Sequence, residues 1–188
     1  MKTKTLFSTC GALVFAAVAF VSCSTTQETE ILTLIDKIQV TNEDTTDGSQ
    51  KFVGDAHGGK YFSHTDSASG QYGTCTVYNI HDSLMQKGIR VKINMWVKQG
   101  AFSESNQFAV SLQDNEGIIK WEAIALKNHL GEDNKWINVI DSISFPQELV
   151  NKNGLYLKMF LFNPDLKSYL DVDDEEISIY KVDKVMVD

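Results

Sequence analysis

Residues Arg90 to Gln99 read RVKINMWVKQ, with Val91, Ile93, Met95 and Val97 on one parity and Lys92, Asn94, Trp96 and Lys98 on the other. Apolar residues at every second position fit a half-buried β-strand and cannot line one face of a helix. The pattern recurs along the chain. Phe108, Val110 and Leu112 alternate with Ala109, Ser111 and Gln113, and Asp114-Asn115-Glu116-Gly117 is a turn leading into Ile118 to Leu126, so these two segments predict a hairpin. Further strands are predicted over Lys60 to His64, Gly73 to Ile80, Trp136 to Phe145, Leu155 to Phe162, Ser168 to Val172 and Ile177 to Val182, and Ile31 to Val40 opens an apolar segment. Helical signal is confined to His81–Lys87 and Pro146–Asn151. Many short strands with polar connections predict an all-β chain, an antiparallel two-sheet β-sandwich. Its core should hold Val91, Ile93, Met95 and Val97 against Leu155, Leu157, Met159 and Leu161. At 188 residues, 43% of them hydrophobic, the chain can bury one real core without staples.

The N-terminus has a different character. Lys2 and Lys4 precede an apolar run from Cys10 to Val21, too short to span a bilayer, so residues 1–22 read as a signal peptide. The run ends Phe20-Val21-Ser22-Cys23, which resembles the lipobox of bacterial lipoproteins. The resemblance implies that Cys23 is the lipid attachment site and that residues 23–30 form a lipidated tether, leaving 31–188 as the sandwich. The alternative is an ordinary secretory signal in which Cys23 is incidental. Ser24 after the Cys implies outer-membrane sorting by the same resemblance, and Gln27-Glu28-Thr29-Glu30 is similar to acidic surface-export tags of Bacteroidetes lipoproteins. The expected location is the cell envelope, anchored to the membrane. With Cys10 discarded and Cys23 acylated, Cys75 has no partner and is expected to be a small buried residue beside Val77.

The strand series Gly59-Lys60-Tyr61, Arg90–Lys98 (RVKINMWVK), Lys120–Leu126 (KWEAIAL), Asn134-Lys135-Trp136, Phe145-Pro146, Leu155–Asn163 (LYLKMFLFN) and Val172–Tyr180 (VDDEEISIY) resembles the galactose-binding-like jelly roll. That resemblance covers nearly all of 31–188. It implies a carbohydrate-binding module more often than an enzyme, and it assigns Trp136 a structural position. It also implies a structural Ca²⁺ between first and last strands, held by Asp173 and Asp174 with Asp44 from the Asn42-Glu43-Asp44 loop. The bland alternative is a solvated acidic turn that keeps a sheet edge soluble.

The motifs of nucleophilic, zinc and nucleotide chemistry are absent from the sequence: no Gly-x-Ser-x-Gly, His-Glu-x-x-His, phosphate-cradling Gly loop or Cys-x-x-Cys. His57, His64, His81 and His129 are scattered and read as exposed polar residues. Glu122 and Asp141 are the one conceivable pair for glycoside hydrolysis, a pairing any acidic sandwich offers by chance. With 17 Lys and Arg against 25 Asp and Glu and no basic cluster, nucleic acid is not an expected partner.

One group remains. Trp96 lies on the polar side of a strand whose other side supplies the core. It is either covered by loops or neighbouring strands, or it offers its face to a sugar beside Asn94, Lys92 and Arg90. Trp121 is a second carbohydrate candidate, or fills space above Ala123 and Ala125. The sequence therefore predicts a non-catalytic glycan-binding module of the envelope. The alternatives are an adhesive or structural lipoprotein contacting an envelope protein and, more weakly, a glycoside hydrolase.

Overall fold

The computed structural model describes residues 27–43 and 51–187; Cys23 and Asp44, and the expectations attached to them, lie outside these. The chain is all-β. Its ten strands are β1 (Gln27–Val40), β2 (Phe52–Val53), β3 (Tyr61–Thr65), β4 (Tyr72–Asn79), β5 (Gly88–Gln99), β6 (Gln107–Asp114), β7 (Gly117–Ala125), β8 (Ile137–Phe145), β9 (Tyr156–Phe162) and β10 (Leu170–Val187). Short 3₁₀ turns occupy Asp82–Leu84 and Gln147–Leu149, inside the two stretches with helical signal, and a third follows β7 at Leu126–Asn128.

Two antiparallel sheets face each other as a jelly-roll β-sandwich. The larger runs β2-β3-β10-β5-β8, with β1 also pairing β10; the smaller runs β4-β9-β6-β7. The period-two pattern of β5 explains the arrangement. Val91, Ile93, Met95 and Val97 have no exposure at all, and from the opposite sheet Leu155, Leu157, Met159 and Leu161 close on them at 2% exposure or less. Burial of these side chains supplies the main favourable term for bringing the sheets together. The β6–β7 hairpin forms as its turn residues dictate: Asp114 Oδ1 accepts the backbone N–H groups of Glu116 and Gly117, and Gly117 takes a φ of 138° that its missing Cβ permits.

Two strands differ from the sequence reading. β1 begins at Gln27, four residues before the predicted start of the sandwich, so residues 27–30 pair with Lys184 to Val187 in a ribbon. The last two predicted strands are one strand, β10, bent by a β-bulge. Asp173 pairs with Trp96 and Glu176 with Asn94, so Asp174 and Glu175 together oppose the single residue Met95. Asp174 takes a φ of 48° to make this possible. The extra residue keeps Asp173 and Glu176 on the outer face and turns Glu175 inward, where it is 4% exposed.

Cys75 is corrected. It is exposed, not buried, because β4 sends Cys75 and Val77 to the outer face while Tyr78 enters the core. Its sulfur is nevertheless partly desolvated, which pushes the thiol pKa up and makes thiolate scarce.

The packing makes one prediction. Ile93→Ala should destabilise the protein by about 2 to 5 kcal/mol in chemical denaturation, whereas Lys92→Ala, whose side chain is exposed on the same strand, should change it little.

Candidate functional site

The two sheets have very different outer faces, and each carries one of the tryptophans singled out by sequence.

On the larger sheet, Trp96, Asn94, Lys92 and Arg90 do share the outer face of β5, but they do not gather into one site. The segment between β2 and β3 folds over the end that carries Trp96. The His57 ring stacks on the indole with centroids 3.8 Å apart and planes 13° from parallel. Asp174 Oδ2 lies 2.7 Å from His57 Nδ1, and Asp173 Oδ2 accepts the backbone N–H groups of His57 (3.1 Å) and Gly58 (3.0 Å). Gly58 is needed here, because a Cβ would meet Asp174 Oδ2 at 2.5 Å. Asp55 finishes the clasp. Its carbonyl accepts from Trp136 Nε1 (3.0 Å) and from the buried Lys98 Nζ (2.9 Å). Lys98 lies 4.7 Å above the Trp136 ring and 3.5 Å from Asp171 Oδ2, and Asp171 Oδ1 is 2.5 Å from His64 Nδ1. One face of Trp96 is thus occupied by the protein's own imidazole, and Trp136, just before β8, is held by its hydrogen bond to Asp55 and the Lys98 amine over its ring.

Further along the same face, Asn94 Oδ1 accepts from Asn138, while Arg90 donates to Ser144 and pairs with Glu30 at 2.6 Å. Arg90 and Lys92 line a groove of about 410 Å³ with Leu32, Ile140 and Tyr180. Three of the four histidines are engaged by carboxylates, His57 and His64 within the clasp and His129 at 3.1 Å from Asp141 Oδ2, while His81 is exposed as expected. Sequence spacing could not show the clasp, since Asp174 lies 117 residues from His57 and Asp171 lies 107 from His64, although His64 Nε2 also lies 3.2 Å from the nearby Asp66 Oδ2.

The acidic turn does not form a calcium cage from the described residues. Asp173 is fully buried and its carboxylate is already taken: Asp174 N–H and Asn42 Nδ2 donate to Oδ1, His57 and Gly58 N–H to Oδ2. Asp174 is engaged by His57. Among the described residues no group of three or more His, Cys, Asp or Glu is arranged to hold a metal ion. Backbone and side-chain N–H groups supply the compensation a cation would otherwise give. One buried acceptor, Asn42 Oδ1, has no partner among these residues. Glu122 and Asp141 are on different sheets, the first paired with Lys120 and the second with His129.

The outer face of the smaller sheet is built quite differently. β4 contributes Tyr72, Cys75, Val77 and Asn79; β9 contributes Tyr156, Lys158, Phe160 and Phe162; β6 contributes Gln107, Ala109, Ser111 and Gln113; β7 contributes Trp121, Ala123 and Ala125. Register sets these side chains in rows across the sheet, Val77–Lys158–Ser111–Trp121 in one and Cys75–Phe160–Ala109–Ala123 in the next. β6 lies between β7 and β9. Trp121 nonetheless reaches Phe160 and Phe162, with centroids at 5.3 and 5.6 Å, because Ala109 and Ser111 leave room for an indole to cross β6. That crossing is why both small residues have no exposure although they face outward. Tyr72 stacks on Phe162 at 5.2 Å and 16° and is itself 56% exposed. Polar groups border the rings: Gln113 Nε2 donates to Ser111 Oγ at 2.7 Å, and Tyr156 Oη lies 3.3 Å from Gln113 Oε1. Trp121 is therefore neither a core residue nor a lone exposed ring. It belongs to a group of four aromatics on an open sheet face, of which sequence reasoning found one. Parity within LYLKMFLF could have found Phe160 and Phe162, since both alternate with the core leucines.

No protein-family model matches the chain, and no curated protein does. Among solved structures it is similar to dimeric latent PorU from Porphyromonas gingivalis, with 9% identity, 57% of this chain and 10% of that one covered, and a TM-score of 0.33. It is similar to the VP2 subviral particle of infectious bursal disease virus, with 7% identity, coverage of 95% and 46%, and a TM-score of 0.36. A CBM4 structure shares 12% identity, with coverage of 80% and 94% and a TM-score of 0.32. The chain thus spans a tenth of the PorU chain and under half of VP2, and at these scores the likeness says nothing of a ligand or a partner.

The inward turn at the bulge makes a prediction about pH. Burial, reinforced by the neighbouring Asp173 charge, pushes the Glu175 pKa up to about 8 from a usual 4.5. A raised carboxyl pKa means the folded state binds the proton more tightly, so this contribution is complete below the unfolded pKa. It is lost progressively as pH rises from about 4.5 to 8. The carboxylates held low, Asp66, Asp114 and Asp183 among them, act below that window. Glu175→Gln should therefore flatten the fall in Tm between pH 5 and pH 8, as read by differential scanning calorimetry.

Proposed function

We propose that this protein is a lipid-anchored envelope module that binds a glycan, without catalysis, on the outer face of its smaller sheet. One observation carries the reading: Tyr72, Trp121, Phe160 and Phe162, from three strands, meet on an open face floored by small residues and bordered by amide, hydroxyl and amine groups. Sugars present apolar C–H faces that pack on aromatic rings and hydroxyls that need donors and acceptors, so a mixed surface of this kind suits them chemically. The larger sheet is less suited. Its indole is stacked under His57, and Arg90 is already paired.

A second reading, contact with another envelope protein, is favoured by the apolar side chains of the larger sheet's groove, where Leu32 is 41% and Ile140 55% exposed. Mixed grooves of this size also serve protein contacts. The anchor belongs to the proposal too: acylation at Cys23 would place the β1–β10 ribbon, and the sandwich it leads into, next to the membrane.

Both parts are testable. Cys23→Ala should abolish incorporation of labelled palmitate and release the protein from the membrane fraction; equal labelling of wild type and variant would disprove the anchor. In affinity electrophoresis of the detergent-solubilised full chain against polysaccharides, Trp121→Ala should weaken retention by about tenfold or more, as for a central aromatic anchor, while Trp96→Ala should leave the affinity close to wild type. The reverse order would move the site to the larger sheet.

A further inference from the structure

The aromatic face has a charge property that its shape does not require. None of the outward positions of β4, β9, β6 and β7 carries an acid, although acids outnumber bases 25 to 17 in the chain. One carries a cation, Lys158, on β9 between Val77 and Ser111. Elsewhere in the described residues most lysines lie within 4.0 Å of a carboxylate. Lys158 has no such partner there. Its contact is the Tyr156 ring, 5.7 Å from Nζ. Two acids of the neighbouring strands, Asp114 of β6 and Glu122 of β7, are paired with Lys152 and Lys120.

Lys158 is half-buried, with its ammonium beside the Tyr156 ring and no carboxylate partner among the described residues. An incoming anion at such a place is screened less than at an open surface, and the charge-assisted hydrogen bonds it forms are stronger than neutral ones. Lys158 and Trp121 share a cross-strand row with Ser111 of β6 between them, the Lys158 amine beside the Tyr156 ring and the indole turned toward Phe160 and Phe162, so a glycan long enough to extend from the indole along β9 would carry its substituents past Nζ. From this geometry we propose that Lys158 makes the face selective for an anionic glycan, one bearing carboxylate or sulfate groups. The proposal rests on the glycan reading above and narrows it to a substrate class. The protein's overall negative charge opposes acidic polymers at long range, so discrimination must come from this one short-range contact and should depend on salt.

The test is affinity electrophoresis of the detergent-solubilised full chain in gels containing polygalacturonate, its fully methyl-esterified counterpart, dextran and dextran sulfate, at low and high salt. Expected is retention by one of the acidic polymers above its neutral counterpart, reduced by salt. It should fall about tenfold or more in Lys158→Gln and be largely kept in Lys158→Arg. The carboxylate and sulfate arms tell which anion is read. Retention by neutral polymers alone, or binding unchanged by Lys158→Gln while Trp121→Ala abolishes it, overturns the anionic selectivity and leaves glycan binding standing. No retention by any polymer, or retention indifferent to Trp121→Ala, counts against both. Circular dichroism melts of the three variants, expected to match wild type, separate these effects from misfolding.

Discussion

The fold turns on a carboxylate problem in β10. This strand is the axis of the larger sheet, pairing β5 on one side and both β3 and β1 on the other, and halfway along it four consecutive acids must be accommodated. An unbulged strand would send two of them into the core and two to the outer face. The bulge instead keeps Asp173 and Glu176 on the outer face, lets Asp174 swing toward the clasp and leaves Glu175 alone inside. Burying an uncompensated charge is expensive, and the protein avoids it in two ways. Asp173 is surrounded by N–H donors, and Glu175 is held near neutrality by its raised pKa.

The first of those solutions has a consequence for the surface. The donors for Asp173 come from His57 and Gly58, so the segment before β3 must lie across the larger sheet, and its imidazole settles on Trp96. Asp55 then accepts from both Trp136 and Lys98, and Lys98 in turn faces Asp171 and, through it, His64. An indole that looks available from its strand parity is thereby consumed by the packing that the acids demand. The smaller sheet has no such obligation. With no acids at the outward positions of its strands, its rings pack on one another instead, Tyr72 staying 56% exposed and Phe160 almost covered at 8%, with the Lys158 amine beside Tyr156.

The two faces differ in how they are built: the larger sheet carries the electrostatic framework, the β1–β10 ribbon and a groove lined in part by Leu32, while the smaller carries a cluster of aromatic rings with few polar commitments. Small residues decide this as much as aromatic ones do. Ala109 and Ser111 permit Trp121 to cross a strand and join rings from β9, converting separate side chains into a continuous platform.

The sequence by itself determined the all-β class, the inward face of β5 and β9, the β6–β7 hairpin and two of the three places where the chain makes a 3₁₀ turn. All of these follow from local rules: side-chain alternation with a period of two, and the turn chemistry of Asp and Gly. It also marked Trp96 as a tryptophan on the wrong parity for the core and left Trp121 open between a surface and a space-filling role. Only the tertiary structure decided between them, because coverage depends on what arrives from far away in sequence. His57 reaches Trp96 from 39 positions upstream, directed by acids in β10 more than a hundred residues on. The union of Ser168–Val172 with Ile177–Val182 into one bulged strand, the exposure of Cys75 and the absence of acids around Lys158 were likewise fixed by register between strands, which no single segment encodes.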